Sequence, residues 1–347
     1  MSKREKVFFI LVPGFAASAE DSACLPMQQR FVQAMTQLNF DIKIIVLSFH
    51  YPFHEKTYQW FGATVIPFNG RNRSGLADFF LRRKVLKTLV RIHRDQQIVG
   101  LLSFWLGECT YVGKQFSQRY GVPHYSWLMG QDARGKNKYV KRLSIEEDEL
   151  IALSDFLQHE FQRNYGIKPF KVVPPGIQSS YSNTTRDIDL LGVGSFIPLK
   201  RFEVFIECVA EIKKVIDVRA VLIGDGPEKN KLNKIIWDLG LESNIILKGN
   251  IPHNEALNTM SRAKILLHPS SYEGFSGVCQ EALAHGAHVL SFCRAMNDEI
   301  CQWHIVKTRK EMVEKAISIL TNNSTEYRKI EFNPMLATAK EIMDQYL

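Results

Sequence analysis

Short β-branched runs alternate with longer amphipathic stretches along almost the whole chain. This order is typical of βαβ units, which build parallel sheets with helices on both faces. In the first half, strands are predicted at Val7–Val12, Ile42–Leu47, Ala63–Ile66, Ile98–Phe104, His124–Leu128, Leu150–Leu153 and Lys171–Val173. Helices are predicted between them at Leu25–Leu38, Leu76–His93 and Cys109–Tyr120.

A segment with two prolines and a glycine, Lys171–Ile177, interrupts the pattern, and the polar stretch Gln178–Arg186 follows it. This composition is typical of a linker between domains. The alternation then begins again, with strands predicted at Leu190–Val193, Ala220–Ile223, Ile245–Leu247, Ile265–His268 and Val289–Phe292. The helices predicted there are Phe202–Lys214, Lys229–Leu239, Asn254–Arg262, Gly277–His285 and Lys310–Thr321.

The sequence therefore predicts an α/β protein of two doubly wound Rossmann-like domains that face each other across a cleft. The first domain is predicted over residues 1–177 and the second over residues 178–332, with a helix within 333–347 packing back on the first. A length of 347 residues, of which 45% are apolar, is enough for two separate cores.

The location of the protein is predicted from its N-terminus and its cysteines. The first apolar run, Val7–Val12, ends at Pro13-Gly14 and is too short for a secretory signal. No apolar run is long enough to span a bilayer. The six cysteines form no C-x-x-C pair, which favours a reducing compartment. We expect a cytoplasmic protein.

The positive charge is concentrated in the N-terminal half. Residues 1–175 carry 24 Lys and Arg against 15 Asp and Glu, whereas residues 176–347 carry 20 against 21. A basic half indicates a phosphate-bearing partner, an anionic lipid or a nucleic acid. No known nucleic-acid motif accompanies the charge, so we predict no nucleic-acid partner.

The sharpest chemical signal is the segment Pro269–Gly286, in which a strand leads through a glycine-containing loop into a helix. The free amides and the dipole at a helix start attract an anion such as phosphate. Glu281, within the helix, is able to accept hydrogen bonds from a vicinal diol such as a ribose. Glu273, before the helix, is placed to meet whatever is attached to the phosphate.

These residues resemble a known family. Two glutamates separated by seven residues, with E-G-F at the first and E-A-L-A-x-G at the second, look like the signature of glycosyltransferase family 4 and its GT-B relatives. The resemblance spans Leu190–Leu290 and includes Pro198–Lys200, Leu222–Pro227, Leu247–Gly249 and Glu255–Leu257. It implies a GT-B enzyme that uses a nucleotide diphosphate sugar, needs no cofactor and retains anomeric configuration.

The resemblance also implies roles for individual residues. Lys200 matches the lysine that binds the donor diphosphate, and Glu273 the glutamate near the transferred sugar; these two are the predicted catalytic residues. Glu281 matches the ribose-binding glutamate. The remaining donor-binding positions are Gly14 in the first domain, Gly249, Asn250 and Ile251 at the base, and Gly274, Phe275, Ser276 and Gly277 at the phosphate and sugar.

The chain departs from the family pattern at two places. Ser195, a predicted donor-binding position, stands where many relatives have an arginine that pairs with the lysine, and Arg201, adjacent to Lys200, is a further donor-binding candidate. Met129 stands where relatives often have a histidine that touches the donor sugar. The role of that histidine is either vacant here or passes to Gln131 or Asp132, which are also candidates for contact with the acceptor. Glu108 is a second acceptor candidate, and its alternative role is that of a charge at a helix N-terminus.

We recognise no D-x-D cation site and predict a metal-independent transferase (no metal ligands), active in cell-envelope or polysaccharide biosynthesis on a glycan or lipid-linked acceptor. Two alternatives stay open. A GT-B nucleotide-sugar epimerase would share the diphosphate pocket, and a non-catalytic nucleotide-sugar binder would share the fold.

Residues 71–94 carry eight Lys and Arg and one acid, Asp78, among many apolar residues. One interpretation is a peripheral helix that lies on an anionic membrane surface. The other is an ordinary solvated basic face on a helix whose apolar side packs against the sheet. The sequence leaves both open.

Overall fold

The computed structural model describes residues 4–22, 24–38, 40–177, 185–297 and 299–347. The chain forms two compact units: unit 1 is Met1–Gly176 with Pro334–Leu347, and unit 2 is Ile177–Asn333. These limits differ by one residue from the boundaries predicted from the sequence. Residues 178–184, most of the polar stretch Gln178–Arg186 of the predicted linker, lie outside the described part of the chain.

Unit 1 is built on an eight-stranded sheet with the order β3-β4-β2-β1-β5-β6-β7-β8. Its strands are β1 (Lys6–Gly14), β2 (Lys43–Tyr51), β3 (Tyr58–Trp60), β4 (Ala63–Pro67), β5 (Gln97–Phe104), β6 (His124–Leu128), β7 (Leu150–Ala152) and β8 (Lys171–Val172). All neighbours pair in parallel except β3 and β4. The central strands are apolar throughout because helices cover both faces.

The helices of unit 1 are α1 (Pro26–Gln37), α2 (Leu76–Asp95), α3 (Glu108–Tyr120), α4 (Lys138–Leu143) and α5 (Asp155–Tyr165), with the late helix α11 (Met335–Met343). Helices α2 and α3 cover one face of the sheet. Leu81, Val85 and Leu89 of α2 lie in the same apolar cluster as Phe9 of β1 and Phe116 of α3.

The C-terminal segment is part of unit 1. Helix α11 packs beside α1, and Tyr346 donates its hydroxyl to the carbonyl of Leu101 at 2.7 Å. The Tyr346 ring also lies edge-on to Phe8, with centroids 4.7 Å apart. A side chain on Gly100 would overlap the Tyr346 ring, so glycine at that position lets the ring reach the sheet.

Unit 2 has a six-stranded parallel sheet with the order β11-β10-β9-β12-β13-β14. Its strands are β9 (Ile188–Val193), β10 (Ala220–Ile223), β11 (Ile245–Gly249), β12 (Ala263–His268), β13 (His288–Ser291) and β14 (Trp303–Ile305). Its helices are α6 (Phe202–Lys213), α7 (Lys229–Asp238), α8 (His253–Arg262), α9 (Gly277–Ala284) and α10 (Arg309–Thr321). Apolar clusters fill both faces of this sheet.

Four elements were not predicted: the strands β3 and β14 and the helices α4 and α5. Both strands have three residues and lie at sheet edges, where the sequence pattern is too short to show a period. Helix α5 does carry a start signal, since Ser154 caps it by accepting from the amide of Leu157 at 3.1 Å.

None of the described helices is long and apolar enough to cross a membrane.

Candidate active site

Backbone contacts tie together the carboxyl ends of three neighbouring strands in unit 2. Gly194, after β9, donates its amide to the carbonyl of Ile223 at 3.0 Å, and Gly224, after β10, donates to Gly249 at 3.0 Å. Gly224 has φ of +147°, and a side chain there would overlap the carbonyl oxygen of Gly194. Only glycine fits this close approach, so the three strand-end loops form one continuous platform.

The loop between β12 and α9 is fixed to the loop that follows β9. Ser271 donates its amide to the carbonyl of Leu199 at 3.1 Å, and Ser270 donates its hydroxyl to the same oxygen at 3.3 Å. The chain then turns through Ser276, whose φ is +60°, and enters α9. At a helix N-terminus, N–H groups lack an intrahelical acceptor. The first turn of α9 therefore favours binding of an anion.

The two predicted catalytic residues meet at this loop. Lys200 Nζ lies 2.5 Å from Glu273 Oε1, and His268 Nε2, at the end of β12, lies 2.7 Å from the same oxygen. All three side chains are largely buried, and that of His268 is only 2% exposed. The arrangement places a cation beside an oriented carboxylate in the loop before α9, four residues ahead of the helix start at Gly277.

Glu273 is held in its ionised form. Burial by itself would raise its pKa, but the hydrogen bond with His268 and the charge of Lys200 outweigh burial and lower the pKa to about 2. Burial lowers the pKa of His268, so His268 is neutral and donates from Nε2. A carboxylate with this pKa accepts hydrogen bonds or balances positive charge at neutral pH, and it has no proton to donate.

Glu281 lies inside α9 and is 7% exposed. Its Oε1 is 3.0 Å from His253 Nε2, and His253 begins α8 just after Gly249–Ile251. The residue predicted to bind the ribose therefore adjoins the segment predicted to line the base pocket.

The other predicted donor-binding residues of unit 2 have varied surroundings. Ser195 and Asn250 are exposed, Gly274, Phe275 and Ser276 are buried, and Gly277 is half-buried. Ile251 packs against the apolar cluster beneath α8 and α9. The guanidinium of Arg201 is held over the ring of Phe292, 5.2 Å from its centroid.

In unit 1, Gly14 ends β1 and is buried, and the next residue, Phe15, donates its amide to the carbonyl of Tyr51 at 3.1 Å. Glu108 is the first residue of α3, and its Oε2 lies 3.3 Å from His50 Nε2. Burial would raise the pKa of Glu108, but the neighbouring His50 and Asp78 outweigh burial and lower it. Glu108 thus belongs to a charged cluster at the helix start.

Asp132 has a structural position that argues against the predicted contact with an acceptor. It is 3% exposed, and its Oδ2 accepts from the amides of Met129 at 2.8 Å and Leu106 at 3.0 Å. Burial raises its pKa to about 7 although both amides lower it. Asp132 therefore orders the loop after β6, as aspartates in turns commonly do, whereas Gln131 beside it is exposed.

Sequence reasoning missed two histidines, His268 and His253, which contact the two motif glutamates. His268 ends a buried strand and reads as a core residue, and His253 reads as a polar residue at a helix start. Each lies five or more residues from its glutamate along the chain, so only the folded structure brings the pairs together.

One D-x-D spacing does occur, at Asp187-Ile188-Asp189, and it was not recognised as such from the sequence. It lies at the amino end of β9, away from the strand-end loops. Asp187 Oδ1 accepts from Arg262 Nε at 2.8 Å, and Lys264 Nζ is 2.8 Å from Asp189 Oδ1. Within the described ranges, no group of three or more His, Cys, Asp or Glu side chains is placed to hold a metal ion.

Unit 2, which contains these residues, is similar to known glycosyltransferases. Residues 177–333, the whole of unit 2, match the family model of glycosyl transferases group 1. An uncharacterized glycosyltransferase of Methanocaldococcus jannaschii is 27% identical over 187 residues, which cover 52% of each chain. The lipopolysaccharide glucosyltransferase WaaG of Escherichia coli is 29% identical over 162 residues, covering 41% of this chain and 43% of WaaG. The chain thus spans about half the length of these curated relatives.

Among solved structures, the Anabaena protein HepE in complex with UDP and glucose matches with a TM-score of 0.68 at 16% identity. The match covers 99% of this chain and 95% of HepE. Together with the two parallel Rossmann-like sheets, this likeness confirms the predicted α/β fold of the GT-B type.

Proposed function

We propose that this protein is a glycosyltransferase that moves a sugar from a nucleotide diphosphate to a glycan or lipid-linked acceptor, with retention of anomeric configuration. One observation carries the proposal. Lys200 Nζ lies 2.5 Å from Oε1 of Glu273, in the loop that leads into α9, the helix that also holds Glu281.

Departure of the diphosphate is the step that Lys200 and α9 assist. Cleavage of the bond between sugar and diphosphate leaves negative charge on the phosphate oxygen. Lys200 gives one of its three N–H donors to Glu273, and two remain for phosphate oxygens. The first-turn amides and dipole of α9 add fixed positive potential. These groups are already oriented before the reaction, which is the efficient form of charge stabilisation.

Glu273 acts through its negative charge. With a pKa of about 2 it stays ionised at neutral pH, so it accepts hydrogen bonds from sugar hydroxyls and balances the positive charge of an oxocarbenium-like transition state. The acceptor hydroxyl attacks on the face that the diphosphate leaves, and its proton passes to a phosphate oxygen. This same-face substitution gives retention, as the resemblance to family 4 implies.

The comparisons support the reaction class and the wider setting of the proposal. The match of unit 2 to glycosyl transferases group 1 favours transfer from an activated sugar. HepE binds UDP and glucose on a similar fold, which favours a nucleotide donor. Similarity to a lipopolysaccharide glucosyltransferase favours cell-envelope or polysaccharide synthesis.

Nucleotide binding is the direct test. A panel of nucleoside diphosphates and nucleotide sugars should contain at least one that raises the melting temperature of the protein. A ligand that binds the folded state and not the unfolded state stabilises the folded state. Glu281→Gln should weaken the binding of that ligand about 10- to 100-fold, because a hydrogen bond to a charged acceptor contributes about 1.5–3 kcal/mol. Binding by calorimetry and product formation by mass spectrometry measure both. No stabilisation by any nucleotide would contradict the proposal.

Chelation should leave the activity intact. Lys200 and the amides of α9 take the role of a divalent cation in the proposed reaction, so the initial rate in EDTA should equal the rate without it. The control is the same assay with magnesium or manganese added back. Loss of activity in EDTA with rescue by either ion would overturn this electrostatic account.

A further inference from the structure

Helix α2 presents two different faces along its length. Leu81, Val85 and Leu89 are buried in the core of unit 1, so the apolar stripe of this helix is not available to a membrane. The opposite stripe follows the helical spacing of three and four residues and is exposed. It runs through Leu76, Phe80, Arg83, Lys87, Arg91 and Arg94 over about 30 Å.

This exposed stripe borders a groove between α2 and α3 with a volume of about 690 Å³. Among the residues that the structure describes, six cationic side chains line the groove and no carboxylate does. They are Arg82, Arg83, Lys87, Arg91 and Arg94 of α2 and Arg119 of α3. Phe79, Leu86, Val90 and Tyr111 supply its apolar lining.

Most of this charge has no carboxylate partner among the described residues, although Arg83 lies over the ring of Phe79 at 5.7 Å and Arg119 over that of Tyr120 at 5.5 Å. Arg82 pairs with Asp78 at 3.1 Å, and Lys84, which does not line the groove, pairs with Glu55 at 2.5 Å. In the part of the chain that the structure describes, the other five groove cations form no ion pair. Neighbouring cations of one sign create a positive potential along the groove, which favours the binding of an external anion.

The first turn of α2 adds exposed apolar surface to the same stripe. Leu76 is 78% exposed, Phe80 64% and Phe79 47%. Large apolar residues grouped at this exposure commonly mark an interaction site.

We propose that the α2–α3 groove docks the protein on an anionic phospholipid surface, with the phosphates in the groove and Leu76, Phe79 and Phe80 at the boundary of the acyl chains. A bilayer offers many phosphates and an apolar layer side by side, which matches both halves of the stripe. A small polyanion or a nucleic acid would leave the three apolar side chains in water. The inference does not depend on the proposed reaction, because docking needs neither donor nor acceptor.

The docking element is the groove and not the basic segment 71–94 as a whole. Two matched triple variants distinguish these two possibilities. Arg83→Gln/Lys87→Gln/Arg91→Gln removes three charges from the groove. Arg71→Gln/Arg73→Gln/Lys84→Gln removes three charges from the same region, 71–94, outside the groove. All six side chains are exposed, so both variants should fold, and their melting curves check this.

The experiment is sedimentation of the full chain with vesicles of phosphatidylcholine, with or without about one quarter phosphatidylglycerol. Wild type should bind only the anionic vesicles and should be released by about 0.5 M salt. The groove variant should bind about 100-fold more weakly, and the control variant within about threefold of wild type. Leu76→Ser/Phe80→Ser should weaken binding to the same vesicles at low salt.

Three outcomes would overturn the docking proposal. Wild type that fails to bind anionic vesicles at low salt excludes it outright. Equal losses of vesicle binding in the two triple variants would show that a diffuse basic surface, and not the groove, binds the vesicles. Tight, groove-dependent binding of inorganic pyrophosphate or of a fluorescent oligonucleotide without vesicle binding would assign the groove to a small anion or to nucleic acid. Because nucleotide binding in unit 2 is measured separately, failure here leaves the proposed reaction standing.

Discussion

Replacing Lys200 by alanine should lower kcat for sugar transfer by about 100- to 1000-fold and change the donor KM much less. The reason is that the charge on the departing diphosphate grows towards the transition state, so a cation there contributes more to the transition state than to donor binding. Steady-state kinetics at varied donor concentration measure the two constants separately.

The matched control is Lys214→Ala, which removes an exposed lysine of the same unit at the end of α6 and should leave both constants unchanged. A rise in donor KM with unchanged kcat would mean that Lys200 only holds the donor. The Lys200 variant should also raise the pKa of Glu273 from about 2 towards its ordinary value of 4.5. The stability that ionised Glu273 contributes is full above its ordinary pKa of 4.5 and is lost as pH falls towards about 2, so the loss of stability over this pH range should be smaller in the variant than in wild type.

Gly224→Ala should destabilise unit 2 by at least about 3 kcal/mol, the largest stability effect that we expect from any single methyl group in this site. The backbone at Gly224 has φ of +147°, and the added carbon would overlap the carbonyl oxygen of Gly194. Relief requires the loops after β9 and β10 to separate, which would also move Lys200. Urea unfolding measures the loss, and nucleotide binding should fall with it.

Gly240→Ala is the matched control. Gly240 also has positive φ, at +62°, but a side chain there meets no atom within 4 Å. Its cost is therefore the backbone term alone, about 1–2 kcal/mol, and nucleotide binding should be unchanged. Equal losses in the two variants would show that the overlap with Gly194 is relieved without cost.

The order of strands and helices could be predicted because buried parallel strands leave an unmistakable pattern. Val7–Val12 and Ile98–Phe104 are runs of apolar residues, and the structure has them as neighbours β1 and β5. Tyr58–Trp60 could not be found in this way, since three residues at an edge have no period and pair only through the tight return at Phe61-Gly62. Such a strand is determined by its partner, and the partner is not visible in the local sequence.

Part of the candidate site could likewise be predicted from the sequence, and part could not. The resemblance to glycosyltransferase family 4 predicted roles for Lys200, Glu273 and Glu281, but not that Lys200 and His268 share one oxygen of Glu273. Nor did it predict that Arg201 lies over Phe292 or that the carboxylate of Asp132 accepts hydrogen bonds from backbone amides. These contacts join residues from different elements, so they follow from the packing of the whole unit.

The return of the last fourteen residues to unit 1 has a consequence for synthesis. Pro334–Leu347 belongs to unit 1 although all of unit 2 precedes it in the chain. On the ribosome, unit 2 therefore has its full complement of residues before unit 1 does, and the half that is made first is completed last. Until Tyr346 emerges, the sheet surface around Phe8 and Gly100 lacks its cover. A nascent or truncated chain would thus expose the apolar surface around Phe8, whereas unit 2 is one continuous stretch of the chain, 177–333.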